Sequence, residues 1–210
     1  MKKDWFRRTV WSTQDAQEFE EALLRSRPGK RPQYLRIQAA HLADSSVDAP
    51  ALQLLERILS DFPDDYFIAQ VHSQRGDILV RLGKVDEAIH AYRDAMNAQR
   101  EKPNCGTNAY LNFAWLVATT SRKALFSEAI KVLEEFGEAE PFPIQQFLHL
   151  GSKAIIHSMW GNSTQAADFA RKALLAMNAQ DSGFRYHNKV GLARGIGPDL
   201  ITRLETIAAS

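Results

Sequence analysis

Two stretches, GKVDEAIHAYRDA at 83–95 and GNSTQAADFARKA at 161–173, share one rhythm: Gly, Ala five residues on, Ala seven further. The rhythm belongs to a longer register. Ala51, Ala88, Ala129 and Ala166 follow one another at intervals of 37, 41 and 37 residues. Twelve positions before them stand Ala39, Gly76, Val117 and Ala154, three of them small. Four positions after come Leu55, Tyr92, Leu133 and Ala170, and seven after come Ile58, Ala95, Phe136 and Ala173. Two helices approach closely only where both present small side chains, with larger residues one turn away filling the flanks. The register therefore predicts four pairs of helices, each crossing at its small residues.

The periodicity agrees. Leu52, Leu55, Ile58, Leu59 and Phe62 form a stripe of helical spacing. So do Ala88, Ala91, Tyr92, Ala95 and Met96, and again Ala129, Ile130, Val132, Leu133 and Phe136. Breakers fall between the stripes, among them Pro28-Gly29, Asp44-Ser45-Ser46, Pro63, Gly83, Pro103-Asn104, Gly137 and Gly161. The gaps are short, so neighbouring helices must run antiparallel. Alternating runs rich in Val, Ile and Thr are absent. The expected class is all-α.

These residues resemble the tetratricopeptide repeat. The second unit carries the resemblance best, with Gly76, Leu79, Gly83, Ala88, Tyr92 and Ala95 at the family's small and large positions. The fourth keeps Gly161, Ala166 and Ala173 but has Ala170 for a large residue. The third has Val117 for a small one, and the first lacks the Gly before its second helix. The resemblance implies an α-solenoid of about four helix pairs, a right-handed superhelix, over 32–65, 66–104, 105–141 and 142–179. Residues 1–31 are expected to hold an aromatic and basic segment and a capping helix, whose start is marked by the capping-box pair Ser12 and Asp15. Residues 180–210 are expected to be irregular, then to end in a short helix behind Pro198.

The resemblance also implies that the first helices line a concave face where partner peptides lie. The family's groove positions fall on Gln33 and Arg36, then on Gln70, Ser73 and Asp77. In the later repeats they fall on Leu111, Ala114 and Ala118, and on Leu148, Gly151 and Ile155. The expected groove is thus polar in its first half and apolar in its second. The family's Lys/Asn/Arg clamp for chaperone tails is not reproduced, because Ala40 and Asp77 stand where Asn is expected.

The ends interleave aromatic and basic residues, in DWFRRTVW at 4–11 and SGFRYHNK at 182–189. Aromatic residues beside Arg are frequent interface anchors, so Trp5, Phe184, Arg185, Tyr186 and His187 are candidate partner contacts. The competing and preferred expectation is that Trp5, Trp11 and Phe184 fold back to seal the terminal repeats.

Catalytic and cofactor motifs are missing. The sequence has no HExxH, GxxxxGK[ST] or GxSxG. His149 and His157 are eight residues apart on one expected helix, too far to share a metal as i, i+4 pairs do. GLARGIG follows no strand, which argues against a phosphate loop. No metal, cofactor or small-molecule substrate is expected. Arg25, Arg27, Lys30, Arg31 and Arg36 could meet phosphates, but no stacking motif accompanies them and the net charge is only +1. Nucleic acid is not the expected partner. Cys105 is the sole cysteine, which suits a reducing compartment. The basic N-terminus lacks the apolar stretch of a secretory signal, and no run suits a membrane helix. The expected location is the cytoplasm.

The sequence thus points to a non-catalytic scaffold that binds a protein or peptide in a concave groove. Two other functions remain open. One is an immunity-type binder neutralising a single bacterial toxin. The other is an enzyme built at Arg185, Tyr186 and His187, which would need those side chains to converge in a deep pocket with buried carboxylates.

Overall fold

The computed structural model describes residues 4–137 and 140–210. The basic Met1-Lys2-Lys3 start lies outside the described residues. The described chain is an all-α helical repeat fold: α1 (Thr13–Arg25), α2 (Arg31–Asp44), α3 (Asp48–Asp61), α4 (Ile68–Arg81), α5 (Val85–Glu101), α6 (Ala109–Thr119), α7 (Phe126–Phe136), α8 (Pro143–Met159), α9 (Ser163–Met177) and α10 (Pro198–Ala208). No strand occurs among the described residues. The chain divides into two compact units, one through Ala109 and one from Tyr110 to Ser210.

The small-residue register is buried throughout. Ala51, Ala88, Ala129 and Ala166 are fully buried, as are Val117 and Ala154, with Ala39 close behind. The clearest crossing is between α4 and α5. A Cβ placed on Gly76 would sit 2.5 Å from Tyr92 Cε1 and 2.6 Å from Tyr92 Cδ1. The tyrosine ring takes the space a side chain at Gly76 would need, and its hydroxyl donates to Asp77 Oδ1 at 2.8 Å.

All four hairpins turn the same way. Gly83 and Gly161 take φ of 72° and 81°, a left-handed conformation that glycine adopts at little cost. The next amide then reaches back five residues: Lys84 N–H donates to Leu79 O, and Asn162 N–H to His157 O, both at 2.9 Å. This bond closes a Schellman turn and satisfies a helix-end carbonyl. In the first and third hairpins serines do the same work. Ser46 and Ser121 have φ of 60° and 56°, with Val47 N–H donating to Leu42 O at 2.8 Å and Arg122 N–H to Val117 O at 3.0 Å.

The first unit is closed by α1 and the segment before it. The Ser12–Asp15 capping box forms, with Ser12 N–H donating to Asp15 Oδ2 at 2.9 Å and Asp15 N–H to Ser12 Oγ at 3.1 Å. Phe19 of α1 is fully buried, with Trp5 and Trp11 5.3 and 5.4 Å away between ring centres. The segment is strapped down by Gln38 of α2, itself fully buried. Its Oε1 accepts from Arg8 N–H at 2.9 Å and its Nε2 donates to Arg8 O at 2.8 Å. Arg8 in turn reaches α1, donating to Asp15 at 2.5 Å and Glu18 at 2.7 Å. Gln38→Leu leaves two backbone groups of Arg8 without partners, which costs about 1–3 kcal/mol. Limited trypsin digestion should then cut the variant at Arg7 or Arg8 several-fold faster than the parent; equal rates would show the strap to be dispensable.

In the second unit α8 and α9 pair, and α10 packs on both. Trp115 of α6 lies 5.3 Å from Phe147 of α8 between ring centres. A Cβ on Gly151 would come within 2.9 Å of Trp115 and 3.7 Å of Leu204 on α10. Leu111, Ala114, Ala118 and Ile155 are fully buried. The apolar groove expected at these positions is therefore core. Apolar side chains facing one another close up, and here Trp115 and Leu204 fill the space.

Candidate functional site

The first unit keeps an open cleft. It runs between α2 and α4, which touch each other as well as their hairpin partners. The cleft has a volume of about 150 Å³ and is lined by Ala39, Ala40, Ala43 and Asp44 of α2, Leu55 of α3, and Gln74, Asp77, Ile78 and Arg81 of α4. Its existence follows from the small residues. Three alanines in six positions leave α2 with no bulk to fill the space beside α4.

The two helices present their C-terminal halves side by side at this cleft. Arg81, at the end of α4, is anchored to Asp48 at the start of α3: its Nε and Nη2 donate to Asp48 Oδ1 at 3.1 and 2.6 Å. That hydrogen bond raises the Arg81 pKa against the opposing effect of burial, and the charges of Asp48, Asp77 and Asp44 add to it. Asp77 takes the Tyr92 hydroxyl. Gln74 Oε1 is buried with no hydrogen-bond donor among the described residues.

Toward the N-terminal ends of the same helices lie Gln33, Arg36 and Gln70, all half-buried. Arg36 stacks over the ring of Phe67, the residue that caps α4, at 5.1 Å from its centre. Burial lowers the Arg36 pKa, with the charge of Asp65 opposing. Arg36 Nε and Gln70 Oε1 are buried and have no partner among the described residues. An unpaired buried polar group costs about 1–3 kcal/mol. Ser73 is only 9% exposed, turned into the unit, and offers a partner almost nothing. Of the five groove positions carried over from the sequence, Asp77 lines the cleft, Gln33, Arg36 and Gln70 lie half-buried nearer the other end of the same two helices, and Ser73 is buried.

Asp44, Gln74, Arg81 and Phe67 were missed by the sequence reading. Gln74 is one turn beyond Gln70, and Asp44 one turn beyond Ala40, so helical spacing held the signal.

The terminal aromatics separate. Trp5 is 7% exposed and lies 5.0 Å from Tyr34 and 5.4 Å from Phe6 between ring centres. It is core of the first unit, which corrects its candidacy as a partner contact: the apolar end of a helix pair must be covered, and the indole covers it. Phe184 stacks on Phe142 at 5.0 Å and remains 43% exposed. Arg185 covers the ring of Tyr186 at 5.3 Å, and Tyr186 is 81% exposed. His187 is exposed too. The loop holding them is pinned by buried Ser182, whose Oγ donates to His187 O at 3.0 Å and whose N–H donates to Asn188 O at 2.9 Å. Arg185, Tyr186 and His187 are thus all exposed on this loop.

A buried polar cluster elsewhere in the second unit joins Glu140 to His149, 2.5 Å apart, with the Tyr110 hydroxyl 3.5 Å from the same carboxylate. Burial first, then the Glu140 charge, pushes Tyr110 up to about 12. The cluster fastens the start of α8 to α6. Among the described residues no group of His, Cys, Asp and Glu could hold a metal ion, and no helix is long and apolar enough to cross a membrane.

Compared with known families, residues 17–113 match the model of the tetratricopeptide repeat-like domain. None of the curated proteins compared with the chain matches it.

Proposed function

We propose, from the premise that residues 17–113 form a tetratricopeptide repeat-like domain, that this chain is a non-catalytic adaptor holding a segment of another protein in the α2–α4 cleft. Domains of this kind generally mediate protein–protein interaction. The observation that carries the reading is a set of buried, unpartnered polar atoms on the two helices that form the cleft, Gln74 Oε1 in its lining and Arg36 Nε and Gln70 Oε1 nearer the helices' other ends. A peptide backbone supplies both donors and acceptors at a regular spacing, so it relieves all three at once. That Cys105 is the sole cysteine and is a free, buried thiol supports work in a reducing, cytoplasmic setting.

A second surface competes. Tyr186, 81% exposed with Arg185 over its ring, is a candidate aromatic anchor. The two are separated by capture from native lysate with three baits: the parent chain, Arg36→Ala with Gln70→Ala, and Arg185→Ala with Tyr186→Ala. The expected result is a captured protein reduced about tenfold by the first double substitution and unchanged by the second. A set that follows Arg185 and Tyr186 instead overturns the cleft.

A further inference from the structure

We propose that the C-terminal end of the α2–α4 cleft receives one cationic side chain, a lysine or arginine of the bound segment; this rests on the reading of the cleft as a peptide groove. The lining divides by chemistry. Ala39, Ala40, Ala43, Leu55 and Ile78 form methyl-bearing walls suited to the aliphatic stem of such a side chain. The polar lining is Asp44, Gln74, Asp77 and Arg81. Arg81, its only cation, is already bound to Asp48.

Charge decides the occupant. Three carboxylates, Asp44, Asp48 and Asp77, act on the single guanidinium of Arg81. Three negative charges against one positive leave an excess of two. Gln74 adds a buried amide oxygen that lacks a donor. The two helices add to the same sign. Ala43 and Asp44 are in the last turn of α2, and Ile78 and Arg81 are in the last turn of α4. The C-terminal end of a helix carries about half a negative charge. An acidic side chain placed here would add to the negative excess, and an apolar one would leave the Gln74 oxygen without a donor. An ammonium or guanidinium offsets the excess and gives that oxygen a donor. The opposite end of the groove, at Arg36, carries the other sign, so the bound segment is also given a direction.

The test uses the full chain and a random heptapeptide library, with counter-selection on Ala40→Leu, which fills the cleft with a residue as compatible with helix as alanine. The expected peptides lose at least tenfold in affinity on Ala40→Leu and carry Lys or Arg at one fixed position. Replacing that residue in the peptide by norleucine, which keeps the stem and removes the charge, is expected to cost about tenfold on the unaltered protein. Asp44→Asn should reproduce that loss, with its fold checked by circular dichroism. Peptides sensitive to Ala40→Leu that bind as well with norleucine overturn the cation site and leave the groove standing. Peptides indifferent to Ala40→Leu, or no enrichment at all, overturn the groove itself.

Discussion

Gly76→Val is expected to destabilise the first unit by about 3 kcal/mol, at the upper end of what overpacking costs. The Cβ alone would overlap Tyr92 Cε1 and Cδ1, at 2.5 and 2.6 Å. Valine adds two methyl groups beyond it. The ring cannot step aside, because Tyr92 is 2% exposed and its hydroxyl is held by Asp77. The helices must part, which moves Gln74 and Asp77 away from α2 and spoils the cleft. The denaturation midpoint in urea should fall while the slope stays constant, and selected peptides should no longer bind. Gly29→Ala is the control: nothing lies within 4 Å of the added methyl, and its effect should stay within about 0.5 kcal/mol. Equal stability of Gly76→Val and the parent would mean that α4 and α5 do not meet as described.

Phe19→Ala should cost about 3–5 kcal/mol, the usual range for emptying a phenylalanine site in a core. Phe19 is fully buried, between the rings of Trp5 and Trp11 and beside the cluster of Leu35, Leu42 and Leu55. Removing the ring takes away what holds α1 and the segment before it on the first hairpin. The indoles of Trp5 and Trp11 should then emit at longer wavelength, and amides of residues 4–25 should exchange faster with solvent. Loss of stability without a change at Trp5 and Trp11 would show that α1 is held by something else.

Much of the fold was legible because small residues and apolar stripes both repeat along one dimension. The stripes at 52–62, 88–96 and 129–136 fall within or just past α3, α5 and α7. What escaped depended on contacts distant in sequence. Gln38 reads as one more polar surface residue, and only its backbone partner thirty positions earlier explains its burial. Leu204 and Trp115 close over Gly151, and no local pattern announces that filling. The first hairpin seemed to lack its turn glycine, yet Ser46 takes the left-handed conformation in its place. At the cleft, Asp77 was named from a family position, while Gln74 and Asp44, one turn beyond Gln70 and Ala40, were not.

The central claim is that small side chains at matched positions let paired helices nest, and that this nesting shapes the cleft. The double-mutant cycle of Gly76→Ala and Tyr92→Ala tests it most directly, read as unfolding free energies of the four proteins. With Tyr92 present, Gly76→Ala should cost about 1–3 kcal/mol through the clash with the ring. With Tyr92→Ala, the same change should be neutral or stabilising by up to about 1 kcal/mol, since alanine is the better helix former. An equal cost in both backgrounds would contradict the account, because the glycine would then owe nothing to the helix packed against it.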